Sequence, residues 1–373
     1  MASSFRYAFG SGVATGSVAS ITLYSLYSYM IQPMMKQESA QCATQVQLKE
    51  IPDMKPYGGR KDFTKYGVPD RGPNIRFYSN HALSYDQAKR IPVWVAEHIT
   101  KYDSIGSANR RHSYFKADDN FPSIFAANNS DYKRSGWSRG HMAPAGNNKH
   151  DQEAMNDTFL LSNIVPQDID NNGGFWNRFE IYCREHLPEH FEEVRVISGP
   201  LFLPSEGKDG KKYIKYQVIG DNNVAVPTHL YKVIVTEGAL QSTQKGVTGP
   251  FAGAFIVPNE PIKSKEPLKQ YQVPLMKLEK ASGVQFFPKL SGHHLTDLCT
   301  VDSCDLISQD LLTLRFISRK MENATTVHRL EKSWQEFKNI DFKPDQKEIA
   351  FLTGVYEKKK KELEKKESGR SEL

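Results

Sequence analysis

From residue 74 to about residue 288 the chain repeats short runs of β-branched and aromatic residues, at 75–79, 158–164, 194–198, 213–219, 231–236 and 252–257. Clusters of Gly, Pro, Asn and Asp separate them, which is the punctuation of strands joined by turns. Two longer stretches, 84–100 and 175–187, read as helices, and Ser84 with Gln87 three residues later has the capping-box spacing. Strands with a few interspersed helices predict an α+β fold. Beyond about residue 290 the pattern turns helical, in DLISQDLLTLRFISRKMEN and HRLEKSWQEFKNI. A charged EKKKKELEKKES run follows and reads as a solvated helix or tail.

At the other end, residues 7–35 carry no charge between Arg6 and Lys36. That is enough to cross a bilayer, which takes roughly 20 apolar residues. Tyr24, Tyr27 and Tyr29 fall where an interfacial aromatic belt would sit, so the stretch predicts a single membrane span or uncleaved signal-anchor. A cleaved targeting peptide is the competing reading, since no acidic residue precedes Glu38. Residues 37–73, polar and rich in Pro and Gly, read as a tether. The expected organisation is therefore a targeting or transmembrane segment at 1–36, a linker at 37–73, a folded domain at 74–290, and a small helical module with a charged tail at 291–373.

With 39% hydrophobic residues in 373, the chain can bury a substantial core and is not a mainly disordered protein. Its net charge of +6 is compatible with a polyanionic partner but decides nothing about chemistry. Four cysteines, at 42, 183, 299 and 304, are too few and scattered for a secreted disulfide framework, and nothing in them requires an oxidising compartment. Cys299 and Cys304 lack a second pair nearby, so a four-ligand zinc site is not expected despite His293 and His294. Cys183 reads as a small buried hydrophobe and Trp94 as core, with Tyr132 and Trp137 as weak candidates for stacking on bases.

The densest cluster of chemically active residues is SRGHMAPAGNN at 138–148. LSNIVPQ follows at 161–167, then NNGGFWNRFE at 171–180, opening a helix that also carries Arg184. On that helix Glu180 and Arg184 are four apart and share a face. Phosphodiester hydrolysis needs a base for water, a cation for the charge that develops on oxygen, and a grip on phosphate. His serves the first because its ordinary pKa of about 6.5 leaves it largely neutral. An amide oxygen can hold a hydrated Mg²⁺, and Arg offers phosphate a planar fork.

The order and spacing of these segments resemble the DNA/RNA non-specific nucleases of the ββα-metal superfamily, the group that includes Serratia nuclease and mitochondrial endonuclease G. Ser138 in place of the usual Asp of DRGH, and the added C-terminal helices, are similar to the endonuclease G-like, EXOG-type branch of that group. The resemblance covers roughly residues 74 to 345. It implies a ββα-metal core with a central antiparallel sheet. It also implies His141 as general base, Arg139 at the phosphate side, Asn172 as the protein's metal ligand, Glu180 orienting metal-bound waters, Arg184 on the phosphate and Asn163 lining the pocket. A one-residue slip would exchange Asn171 for Asn172. Further implications are Mg²⁺ or Mn²⁺ as cofactor and DNA as substrate, with RNA a second candidate. The products would carry 5′-phosphate ends, from 5′ to 3′ exonuclease activity with some endonuclease activity. A homodimer in mitochondria, anchored in the inner membrane and serving mitochondrial DNA maintenance, completes the expectation. The alternative is a membrane-tethered nucleic-acid-binding protein with impaired catalysis. Ser138 motivates it, and the joint presence of His141, Asn172, Glu180 and Arg184 speaks against it. A secretory ectodomain, suggested by sequons at Asn128, Asn156 and Asn323, is a third reading.

Overall fold

The computed structural model describes residue 65 and residues 74–238, 249–290 and 295–368. The 7–35 stretch and most of the 37–73 tether lie outside the described residues. Among the described residues no helix is long and apolar enough to cross a membrane.

The centre is a predominantly antiparallel sheet. Its principal strands are β1 (Ile75–Phe77), β2 (His81–Asp86), β3 (Ile91–Ile99), β6 (Glu193–Leu201), β11 (His229–Glu237) and β12 (Phe251–Pro258), hydrogen-bonded in that order. Two short strands flank β12: antiparallel β13 (Gln272–Val273) and parallel β14 (Thr296–Asp297). Alternate residues of the central strands enter two cores. Val95, Val196, Ile234 and Phe255 face one, while Trp94, Ile197, Val233, Val235 and Ala254 face the other. Both faces are covered, so these strands read as near-continuous apolar runs. A long helical segment, residues 169–190, presses Phe175, Trp176, Phe179, Tyr182 and Cys183 into the first core. The helix Leu275–Ser282 contributes Leu278 to the second.

Four local expectations change. The 84–100 stretch is not a helix but most of a hairpin, because its apolar residues alternate between two cores with a period of two and not 3.6. The Ser84–Gln87 spacing that resembled a capping box instead spans the end of β2 and its turn. There Asp86 Oδ1 accepts from the amides of Ala88 and Lys89, each at 3.0 Å, and Arg90 takes a left-handed φ of 56°. Within 158–164 the chain makes a 3₁₀ turn at Leu161–Asn163, and the strand β5 (Ile164–Gln167) follows it to pair with β4 (Ser138–His141). The 213–219 run contributes only to two small hairpins, β7 (Ser205–Glu206) with β8 (Lys212–Tyr213) and β9 (Val218–Ile219) with β10 (Val224–Ala225). Tyr132 is buried and therefore unable to stack on a base, whereas Trp94 and Cys183 are core residues as expected.

Cys299 and Cys304 form a single disulfide, a pairing that the expectation of no disulfide framework did not include. Between them Asp302 accepts from the Cys304 amide at 2.7 Å, pairs with His186 Nε2 at 2.8 Å, and accepts from the Tyr182 hydroxyl. The bridged loop is thus fastened to the segment 169–190. Three amphipathic helices follow, Gln309–Glu322, Val327–Lys338 and Gln346–Ser368, around a core that includes Leu314, Ile317, Met321, Leu330, Phe337 and Leu352. Arg315 reaches Glu185 at 2.5 Å and Arg178 donates to the Ile307 carbonyl at 3.3 Å, which ties this region to the same segment.

At the start of β2, His81 is buried and stacks on Tyr78 with ring centroids 4.7 Å apart. Burial pushes its imidazole down to about 3, against an opposing pull from Asp118. In the unfolded chain it titrates near 6.5 and takes up a proton that the folded state refuses. Stability from this site is complete above about pH 6.5 and falls as pH drops from there toward about 3. Denaturant titrations should show His81→Phe removing roughly 2 kcal/mol of the loss between about pH 7 and about pH 5. An unchanged pH slope in that variant would refute the assignment.

Candidate active site

The hairpin of β4 and β5 and the segment 169–190 carry the residues singled out in the sequence. Ser138 pairs with Gln167 and His141 with Ile164 in the hairpin. Gly140 is required there, because a methyl group on it would overlap the Gln167 side chain. Gln167 is buried and donates through Nε2 to Asn171 Oδ1 at 2.9 Å. Asp168 caps the segment by accepting from the Asn171 amide at 2.8 Å. Asn171 also donates to the carbonyls of Pro258 and Glu260, at 3.1 and 3.0 Å, so its carboxamide is fully used in fixing the chain.

Asn172 differs. It opens a widened π-type turn, Asn172–Trp176, and its Nδ2 donates to Ser138 Oγ at 3.0 Å while that hydroxyl donates onward to the Gln167 carbonyl at 2.7 Å. Among the described residues no hydrogen bond takes up Asn172 Oδ1, and the side chain is half-buried. The carbonyl is therefore oriented and open. A second π-type turn, Tyr182–His186, carries Arg184; such widened turns are frequent at functional sites.

His141 lies at the opposite end of β4 from Ser138, between Phe115 and Phe159, with ring centroids at 5.3 and 5.0 Å. Its Nε2 has no hydrogen-bond partner among the described residues. Burial, then the charges of Arg110 and Arg139, push the imidazole down to about 3, so it is neutral at physiological pH. Arg139 is held by Asn129 Oδ1 at 2.5 Å and lies over Phe115 at 4.5 Å. On the helical segment, burial raises the Glu180 carboxyl, opposed by the charges of Lys232, Arg184 and Arg110. Arg184 is buried against Gly146, where a Cβ would stand 3.2 Å from its guanidinium carbon. The charge of Arg110 is felt by both His141 and Glu180.

Asn163 was expected to line the pocket. It is wholly buried; Oδ1 accepts from the Ala143 amide at 2.9 Å, and Nδ2 donates to the Ala143 and Thr158 carbonyls at 2.9 and 2.8 Å. It braces the loop after His141 and does not face the site. Sequence reasoning missed Arg110 and the flanking Phe115 and Phe159. The NRRHSYF run at 109–115 mixes basic and aromatic residues, but only the fold brings it to His141.

A neutral imidazole near the charges of Arg110 and Arg139 is a group that can take a proton from water next to an anionic ester. The chain is a nuclease and belongs to the DNA/RNA non-specific endonuclease family, matching it over residues 59–292. It is 52% identical over 311 residues to human "Nuclease EXOG, mitochondrial", covering 83% of this chain and 82% of that protein. It is 38% identical over 243 residues to bovine "Endonuclease G, mitochondrial", covering 65% and 78%. A crystal structure of the EndoG/EndoGI complex superposes with a TM-score of 0.59 at 39% identity, covering 63% of this chain and 94% of that one.

Because Gly140 packs on Gln167, Gly140→Ala should cost about 1–3 kcal/mol, the usual penalty of overpacking, in urea denaturation. Gln167→Ala in the same chain should recover part of that loss; a Gly140→Ala protein as stable as the parent would contradict the close approach.

Proposed function

We propose that the chain hydrolyses phosphodiester bonds of DNA, with RNA as a second substrate, leaving 5′-phosphate and 3′-hydroxyl ends. The observation that carries this is the neutral His141 imidazole, whose unpartnered Nε2 sits between Phe115 and Phe159. His141 takes a proton from the attacking water. Arg110 and Arg139 weaken it as a base in the free protein, and the negative charge of a bound phosphate offsets them, strengthening the base when substrate is present. Arg139 and Arg184 grip phosphate oxygens, and Glu180 holds and orients water in the site.

Asn172 fits a divalent cation, since Ser138 fixes its carboxamide with the oxygen open. Among the described residues no group of three His, Cys, Asp or Glu side chains could cage a metal. A single amide oxygen suits Mg²⁺, which keeps several of its waters, and Mn²⁺ accepts the same donor. When bound, the cation supplies positive charge to the phosphate and the departing 3′ oxygen. Ser138 Oγ does here what a carboxylate would do elsewhere: it accepts from Asn172 Nδ2 and fixes which atom faces the site.

The likeness to a relative named "Nuclease EXOG, mitochondrial" supports a mitochondrial nuclease, and the proposed activity is 5′ to 3′ exonuclease with some endonuclease cleavage. The C-terminal helices, tied to the segment 169–190 through Arg315 and Glu185, would restrict how duplex enters and favour ends.

Purified protein with Mg²⁺ should degrade linear DNA faster than circular DNA and lose activity in EDTA. His141→Ala should lower the rate by about 10²–10⁴-fold, the usual contribution of a general base, and full activity in that variant would sink the assignment. Ser138→Ala should raise the Mg²⁺ concentration for half-maximal rate by roughly 10–100-fold, read by metal titration. An unchanged metal requirement would remove Ser138 from this role.

A further inference from the structure

Beneath the segment 169–190 the central sheet buries a lysine that none of the steps above employs. Lys232 lies in the middle of β11, 1% exposed. It pairs in register with Ser198 on β6, which in turn pairs with Val95 on β3, so all three side chains share the sheet face that the helical segment covers. Glu97 follows two residues after Val95 on the same face. The ammonium donates to Ser198 Oγ at 2.8 Å and sits 4.5 Å from the centre of the Trp176 ring and 5.9 Å from that of Phe179. Those rings flank Glu180 on the segment above. Among the described residues Ser198 is its hydrogen-bond acceptor, so donors remain on a cation cut off from solvent. A buried cation of this kind is retained where an anion needs it.

We propose that Lys232 is a positioning residue for Glu180, a fixed positive charge under the segment that keeps the Glu180 carboxylate ionised and in place while nucleic acid is bound. The charged groups around Glu180 are Lys232 from β11, Arg184 from its own segment and Arg110 from the 3₁₀ turn Arg110–His112. In the proposed site Arg184 meets the phosphate and Arg110 lies in an exposed turn, so a bound phosphate would share their charge. The phosphate's own charge simultaneously disfavours a second anion nearby. Lys232, walled off by Trp176 and Phe179, cannot be recruited by phosphate and remains committed to the interior. Burial raises the Glu180 carboxyl, and Lys232 is the first of the cations opposing that rise, which agrees with the packing. Glu97 is the other carboxylate on this face, accepting from Asn147 Nδ2 at 3.0 Å, and the Cys183 thiol, pushed up to about 12 by burial, stays neutral there.

This inference rests on the placement of Glu180 in the active site, and the experiment separates the two. Lys232→Met, Glu180→Gln and the double variant are compared with the parent chain. The measurements are kcat and KM across pH on linear DNA with Mg²⁺, and the infrared carboxylic-acid band of the metal-free protein across pH. Lys232→Met should lower kcat at acidic pH by up to about ten-fold, the limit for a one-unit rise of the Glu180 carboxyl, with KM nearly unchanged and the loss shrinking as pH rises. A protonated carboxyl band should titrate at higher pH in metal-free Lys232→Met and vanish in the double variant. Lys232→Met should have little further effect on kcat in the Glu180→Gln background. A loss that is independent of pH, or that adds fully to that of Glu180→Gln, overturns the proposal. Full activity in Glu180→Gln alone would instead remove Glu180 from the site. If Lys232→Met does not fold, Glu180→Gln should restore folding by removing the stranded anion. Restoration by Glu97→Gln in place of Glu180→Gln would assign Lys232 to the other carboxylate and end the proposal.

Discussion

One hydroxyl decides which amide of the Asn171–Asn172 pair is available for chemistry. Ser138 Oγ accepts from Asn172 Nδ2 and donates to the Gln167 carbonyl, so the oxygen of Asn172 is left to the site while the amide of Asn171 is consumed in anchoring the chain. Ser138 and His141 bound the same four-residue strand, so the contact also ties the segment 169–190 to the strand that carries the imidazole. Move the strand by one register and the site is lost, since successive side chains alternate faces.

The site is supported by two kinds of contact. Apolar packing seats the segment 169–190 on one face of the sheet, through Phe175, Trp176, Phe179 and Tyr182 against Val95, Val196, Ile234 and Phe255. Polar contacts then fix its rotation: Asp168 at its start, the disulfide-bridged loop through Asp302 at Tyr182 and His186, and Arg315 at Glu185. Packing alone would tolerate small sliding of a helix on a sheet, whereas hydrogen bonds at several points along it do not. The same arrangement lets the Glu180 carboxylate and the Arg184 guanidinium sit at low dielectric, where each acts on the charge of the other.

How far the residues could be read in one dimension depended on the range of the interaction behind each. The segment 175–187 was legible because its apolar spacing and the Gly-Gly before it are local signals, and β6, β11 and β12 because their runs are dense in β-branched residues. The 84–100 stretch misled, since its Ser-to-Gln spacing imitates a helix cap while the pairing that makes it a hairpin lies across the sheet. Asn163 was grouped with the site by its position in a motif, yet its carboxamide is spent on Ala143 and Thr158. Lys232 carried no local mark at all, and the basic-aromatic run around Arg110 gave no hint of what it would meet.

Family membership and nuclease chemistry were legible in the order of short segments, because a family's motifs constrain residue type at each position. What folding decided was the state of individual side chains. The depressed imidazole of His141, the exposed oxygen of Asn172, the bracing use of Asn163 and the buried charge of Lys232 all arise from neighbours distant in the chain. Charge and hydrogen-bonding state depend on burial and on partners brought in by sheet register, and neither quantity exists until the chain has closed on itself.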